Sequence, residues 1–338
     1  LIQTDTVTEY VYDGAGQIVD TIGYAQSIDG RRLSDDPSVA EVQALISEDF
    51  NNDRHIRNFY DDDGLLVGTL DGEGYLTENV YDNAGRLTQI IQHAEPVRIQ
   101  EGFDQDEGQL EITDARFVTV ADGRIAITSG PQAGNSTTYP WAYAPDAYNT
   151  EEDYVSFKVE VDTGNETEGR FHSVGLNGSA TGGCIGATRH AAGFYGDKVS
   201  ATYYVNNTWQ QTVLGDIKDD TDYVVEVITD ETGSTLYVYE KGQDRSSGFI
   251  DRRETELGLV NAYMSGRRAG NAAESTVYFD NLDIATYKAS VDSADHITTN
   301  EYNARGELIK QTDAEGFETT FVYDQNGNLT QQSREGRV

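Results

Sequence analysis

Between residues 71 and 90, DGEGYLTENVYDNAGRLTQI, apolar and polar positions alternate up to a Val-Tyr-Asp, break at a polar stretch with glycine, and resume at a leucine. Residues 313–331, DAEGFETTFVYDQNGNLTQ, repeat the same pattern without a gap. The core recurs at Tyr12-Asp13 with Gly16, Tyr60-Asp61 with Gly64, Tyr81-Asp82 with Gly85, Tyr302-Asn303 with Gly306 and Tyr323-Asp324 with Gly327, each followed two residues on by Ile or Leu. The interval from Tyr60 to Tyr81 is 21 residues, and so is that from Tyr302 to Tyr323. Period-2 alternation predicts a strand ending at each Tyr. Asp/Asn-x-x-Gly supplies a reversal with positive φ at glycine, and the next strand opens at the aliphatic residue. One such hairpin cannot bury its apolar face alone, so the units are expected to pair side by side into one sheet.

The rhythm breaks twice. Residues 34–47, SDDPSVAEVQALIS, place Val39, Val42, Leu45 and Ile46 at helical spacing after Asp35, Asp36 and Pro37, which predicts a short amphipathic helix over 36–46 that covers sheet surface. From about residue 95 to 290 the Tyr-Asp hairpin is missing and strand-like runs take over, at 108–112, 116–120, 124–128, 154–161, 170–176, 199–205, 210–214, 223–229, 235–240, 257–263 and 275–285. Short alternating strands with turns at Asp122-Gly123, Thr163-Gly164-Asn165 and Thr232-Gly233 predict an antiparallel two-sheet sandwich. The expected organisation is all-β: hairpins over 1–94, an inserted sandwich over 95–290 and hairpins again over 291–338. Loop insertion costs the host sheet little, because closure entropy grows slowly with length.

Composition narrows the function. Against 59 Asp and Glu stand 24 Lys and Arg, a formal charge of −35, and that field repels polyanions, so nucleic acid is excluded as a partner. No apolar run approaches the ~18 residues of a membrane span, and no membrane insertion is expected. A single cysteine, Cys184, forbids an intrachain disulfide. With 21 Tyr and 11 Phe the chain has the large side chains of a folded protein. Leu at position 1 reads as a chain processed or cut from something longer.

The Tyr-Asp motifs with their Gly and Leu partners resemble the YD repeats of rearrangement-hot-spot (RHS) proteins, which also build teneurins and the cocoon subunits of toxin complexes. The resemblance implies a spiralling β-sheet shell, extracellular or at the cell surface, of bacterial type. It also implies that the hairpins partner further repeats of a longer chain, or identical subunits joined through open strand edges as a filament or tube. The expected toxin domain and self-cleavage end are not found, and five hairpins are too few to close a shell.

Within the insertion, residues 222–227, 234–239 and 275–284 resemble concanavalin-A-like and laminin-G-like jelly rolls and the carbohydrate-binding modules built on them. That resemblance implies an adhesive glycan-binding role and a structural calcium, pointing to Asp280 with Asp104 and Asp106; an Asp capping a turn is the alternative. Candidate sugar-facing rings are Tyr139, Trp141, Tyr143 and Tyr148, with Trp209 as a second position, since flat rings stack on the apolar face of a pyranose; a packed loop is the alternative. The paired carboxylates of a glycoside hydrolase are missing from Glu160-Val161-Asp162 and Glu226-Val227. The chain is therefore expected not to be an enzyme. A polysaccharide lyase built on Arg170, His172, Arg189, His190 and Tyr203 stands as a third reading.

Overall fold

The computed structural model describes residues 5–46, 49, 52–61, 63–101, 103, 110–112, 117–121, 123–128, 141–143, 148–150, 154–163, 170–178, 188–205, 208–218, 221–230, 232–243, 245–254, 258–268 and 276–335. The fold is all-β, and the chain divides into two compact units, Leu1–Val97 with Tyr287–Val338, and Arg98–Thr286. Strands are numbered in chain order.

The first unit is one antiparallel sheet of ten strands. It comprises β1 (Thr8–Tyr12), β2 (Ile18–Gly23), β3 (Arg54–Tyr60), β4 (Leu66–Leu70), β5 (Leu76–Tyr81), β6 (Leu87–Gln92), β23 (His296–Tyr302), β24 (Leu308–Thr312), β25 (Glu318–Tyr323) and β26 (Leu329–Arg334). They lie in that order, so β6 pairs directly with β23, His296 opposite Gln92, across the whole insertion.

Each hairpin is built the same way. At Asp82 the carboxylate Oδ1 accepts the backbone N–H of Ala84 and of Arg86, the Gly85 N–H returns to the Asp82 carbonyl, and Gly85 has φ 72°. Only a residue without Cβ holds that angle cheaply. The ladder slips by one residue at every motif tyrosine, for instance between Val80 and Tyr81, a β-bulge that re-aims the ring. The tyrosine then ties its hairpin to the one before. Tyr60, Tyr81 and Tyr302 donate their hydroxyls to the carbonyls of Ile18, Leu66 and Leu87 at 3.1, 3.1 and 2.9 Å. Two residues earlier on the same strand face, Asn58, Asn79 and Asn300 donate their amides to those same carbonyls at 3.1, 3.0 and 3.0 Å. The same aspartate turn also closes the opposite end of the sheet at Asp71 and Asp313, two reversals not among the five Tyr motifs.

The helix differs from expectation. α1 spans only Val39–Gln43, and its cap is Ser38 rather than Asp35 or Asp36, because Ser38 and Glu41 complete a reciprocal capping box that leaves Pro37 outside. It buries no residue, and Val39 is 73% exposed, so it covers no sheet surface.

The second unit is a sandwich of two eight-stranded sheets. The first runs β20 (Phe249–Arg253), β19 (Gly233–Glu240), β18 (Asp222–Asp230), β13 (Tyr154–Asp162), β22 (Thr276–Lys288), β10 (Arg124–Thr128) and β9 (Val118–Ala121), with β7 (Arg98–Glu101) also on β22. The second runs β17 (Thr208–Asp216), β16 (Lys198–Val205), β15 (Thr188–Tyr195), β14 (Arg170–Asn177), β21 (Leu259–Arg268), β11 (Trp141–Tyr143) and β8 (Glu111–Ile112), with β12 (Tyr148–Asn149) also on β21. Alternate residues fill the space between the sheets: Val155, Phe157, Val159 and Val161 on β13 face a layer that includes Val174, Leu176, Phe194 and Met264. Burying each such side chain contributes roughly 1.5–3 kcal/mol. Where β22 changes partner from β10 to β7, Asn281 takes φ 52° and Asp280 Oδ1 accepts its N–H at 2.8 Å. At the start of the unit, Arg98 forks onto Asp283 with two bonds of 2.9 Å, both side chains buried.

Candidate functional site

The second sheet of the sandwich has an inner face and an outer one. On β14, His172, Val174 and Leu176 face the core, which puts Ser173, Gly175 and Asn177 outward. Register carries that parity across the sheet. Ser173, Gly175 and Asn177 stand opposite Ser265, Tyr263 and Asn261 of β21, Ala191 and Gly193 of β15 opposite Thr202 and Ser200 of β16, and Thr202 and Ser200 opposite Gln211 and Val213 of β17. The outer face is therefore a layer of hydroxyls and amides rather than a second apolar surface. Tyr263 and Ser173 join their hydroxyls at 2.6 Å, Gln211 donates to Ser200 at 2.8 Å, and Thr202 donates to the Ala191 carbonyl at 3.2 Å.

Toward β21 this layer is buried, with Ser173, Tyr263, Asn261 and Ser265 all at 4% exposure or less. Toward β17 it opens, and Trp209 at 37% and Tyr195 at 41% bring aromatic rings to solvent on the same face. Asn261, Asn177 and Trp209 lie at one end of that face, with Arg189 between β14 and β16. This row crosses five strands, about 19 Å at the usual spacing. Gly175, at φ 150°, has no room for a side chain: a Cβ would fall 2.6 Å from the Ala191 Cα, which keeps β14 and β15 close at the centre of the layer.

The sequence-predicted sugar residues divide. Trp209 is on this face. Trp141 and Tyr143 pair in register with Ser265 and Tyr263 near its other edge, but their side chains, and all of Tyr139, lie outside the described residues. Tyr148 pairs with Val260 and packs its half-buried ring against the core. Asn177 and Tyr263 were missed; Asn177 closes a strand that already carries Arg170, His172 and Ser173, so it does not stand out by composition.

The lyase candidates divide between the two faces of the sheet. His172, His190 and Tyr203 face inward, whereas Arg189 is exposed on the outer face; the side chain of Arg170 lies outside the described residues. His190 Nδ1 is 2.7 Å from Ser234 Oγ and its Nε2 is 3.1 Å from Asp251 Oδ2, with the Arg253 guanidinium on Asp251 and 3.5 Å from the centroid of the Tyr203 ring. These are the residue types of a nucleophilic triad, yet Ser234 and His190 are fully buried. Burial pushes the imidazole below its usual range and keeps it neutral, so the group is a polar tie between the two sheets.

The calcium expectation fits poorly. Asp280 shares Arg124 with Asp162, at 3.9 and 3.0 Å, and Lys241 reaches Glu160 at 2.6 Å beside them. Two cations thus stand among these three carboxylates, and burial raises the Asp280 carboxyl above its ordinary value. Among the described residues no group of three or more His, Cys, Asp or Glu could hold a metal; Asp104, Asp106 and Cys184 lie outside them.

Residues 302–338 match the family model described as RHS Repeat, so the chain carries an RHS repeat, with a jelly-roll-like sandwich inserted among its hairpins. No curated protein matches the chain. Among solved structures it is similar to the Bacillus licheniformis beta-glucanase, at 11% identity over 57% of this chain and 99% of that one, TM-score 0.43. It is also similar to a family 7 alginate lyase in complex with substrate, at 12% over 56% and 98%, TM-score 0.42. A third is the CBM2 module of the Lactobacillus casei phage J-1 evolved Dit, at 12% over 60% and 99%, TM-score 0.42. The expectation that the chain is not an enzyme is overturned by this list, in which glucanases and alginate lyases recur. Among the described residues no helix is long and apolar enough to cross a membrane.

Proposed function

We propose that the chain is part of an extracellular RHS-repeat scaffold whose inserted sandwich binds a glycan across the outer face of its second sheet. The observation that carries this reading is Trp209, exposed with Tyr195 on a face lined largely by hydroxyls, amides and small residues. A glycan needs a flat apolar ring to stack on and short polar groups to meet its hydroxyls, and this face offers both on rigid strands. The repeat sheet supports the scaffold half of the reading, since three of its joins between successive hairpins are tied by paired Tyr and Asn bonds. The test is a glycan panel run with the full chain, with turnover followed alongside binding. Trp209→Ala is expected to weaken the best ligand at least tenfold while leaving the unfolding temperature unchanged. If the unsubstituted chain holds no glycan, the reading fails.

A second reading, self-association through the sheet edges, has its own observation. β1 and β26 are the edge strands of the ten-stranded sheet, and Tyr10 and Tyr12 on β1 are 52% and 56% exposed. Identical subunits meeting there would extend the sheet into a filament or tube.

A further inference from the structure

We infer that Asn177 and Arg189 together recognise a sugar carboxylate, so that the glycan taken by the outer face contains uronic acid. The inference rests on the glycan-binding reading above and names the class of ligand. Asn177 is 0% exposed, and neither its Nδ2 nor its Oδ1 has a hydrogen-bond partner. A buried amide is almost always satisfied, and two orphaned atoms on one side chain mark a place where a polar group is expected to arrive. Arg189, one strand away, is exposed and makes no ion pair or hydrogen bond among the described residues, in a chain with 59 acidic residues to pair it. Its guanidinium lies against Gly178, the residue after Asn177. A Cβ at 178 would fall 2.3 Å from Nε and 2.8 Å from Nη2, so a side chain there would displace the guanidinium.

The bulge between Leu176 and Asn177 sets the two residues beside each other on neighbouring strands. Opposite it, Thr188 pairs with Asn177 while His190 pairs with Leu176, leaving Arg189 as the extra residue of β15. A guanidinium donates two parallel N–H groups to a carboxylate. The Asn177 Nδ2 adds a third donor to the same oxygens, and Oδ1 remains to accept from a neighbouring sugar hydroxyl. Neutral glycans offer Arg189 hydroxyl acceptors only, without the charge-assisted bidentate pair a carboxylate makes. The net charge of −35 sets a repulsive background for long polyanions, so a short oligomer at physiological salt, where screening acts within about 8 Å, is the proper probe.

Titration calorimetry of the full chain with oligogalacturonate and with a neutral β-glucan oligomer tests the inference. The expected result is binding of oligogalacturonate, weakened at least tenfold by Arg189→Gln and by Asn177→Ala. Any affinity for the neutral oligomer stays within twofold in Arg189→Gln, and both variants unfold at the temperature of the parent or above it. Binding of the neutral oligomer alone, or oligogalacturonate binding indifferent to Arg189→Gln, overturns the inference and leaves the glycan reading standing. Binding of neither oligomer, with a full glycan panel also blank, overturns both.

Discussion

A single tyrosine hydroxyl carries the join between one hairpin and the next, and its contribution can be isolated. Tyr302 and Asn300 both donate to the Leu87 carbonyl, so either alone leaves that acceptor satisfied. Tyr302→Phe is expected to cost about 1 kcal/mol in urea unfolding, and Asn300→Ala a similar amount. The double variant should lose more than the sum, since it alone orphans the carbonyl; strict additivity would show that the two bonds do not share one acceptor in solution. The tyrosine, aspartate and glycine of each unit were legible in the sequence because turn chemistry is local: Asp82 reaches no farther than Arg86. The tie itself was not legible. Its acceptor is a backbone carbonyl on another hairpin, which leaves no side-chain signature, and Asn58, Asn79 and Asn300 have no counterpart at Phe321, two residues before Tyr323.

At the scale of elements, the place where β6 ends and β23 begins is held by a buried histidine. His93 Nε2 is 2.6 Å from Glu78 on β5, and its Nδ1 is 3.2 Å from Asp295, just ahead of β23; all three side chains are under 10% exposed. Asp295 also accepts the N–H groups of Ala94 and Asp292, and Glu78 accepts that of Ala289. The hydrogen bond to Glu78 is the largest cause holding the imidazole above its ordinary value of 6.5. Burial works to raise the Asp295 carboxyl, but the backbone N–H groups and His93 outweigh it and hold the group below 3.8. A raised histidine contributes stability below its unfolded value that is lost as pH rises through the folded one. A lowered carboxylate contributes stability above its unfolded value that is lost in acid. The junction is therefore most stable between about pH 4 and 6.5. The expected outcome is a urea midpoint that falls from pH 6 to pH 8.5, with the fall much reduced in His93→Gln. Equal slopes for the two proteins would remove the histidine from this role. Strand existence followed from alternation for most of the sandwich, and Arg124–Thr128 was placed to the residue. Thr188–Tyr195 and Phe249–Arg253 escaped because the alanines and glycine of TRHAAGFY, and the charges of FIDRR, weaken the β signal that burial then overrides. The helix is shorter than its apolar spacing predicts, because Val39 stays exposed, Val42 is only half-buried, and the Ser38–Glu41 capping box fixes its start.

For the whole molecule the two units differ in what stabilises them. The sandwich has a continuous inner layer with many side chains at 0% exposure, whereas in the repeat sheet most residues are half-buried and Leu70, Leu76 and Ile91 are among few apolar side chains covered. Residues 98–286 expressed alone are expected to unfold in one cooperative calorimetric transition and to remain monomeric in sedimentation. The full chain is expected to gain mass with concentration through its sheet edges. A full chain that stays monomeric at all concentrations would remove the self-association reading. The outer face of the second sheet was only half legible, since Trp209 stood out by rarity while Asn177 and Arg189 meet only through register and a bulge.

The pairing of His296 with Gln92 puts both ends of the insertion at the same end of two neighbouring strands. A ligand that tugged on the sandwich would therefore draw β6 and β23 apart from that end, opening their rungs in succession like a zip rather than shearing them all at once. Zips yield at low force, and the first tooth here is the Glu78, His93 and Asp295 clasp. The grip of the scaffold on its insertion under tension would then be set by one imidazole proton, tightest in mildly acidic surroundings and loosest in alkaline ones.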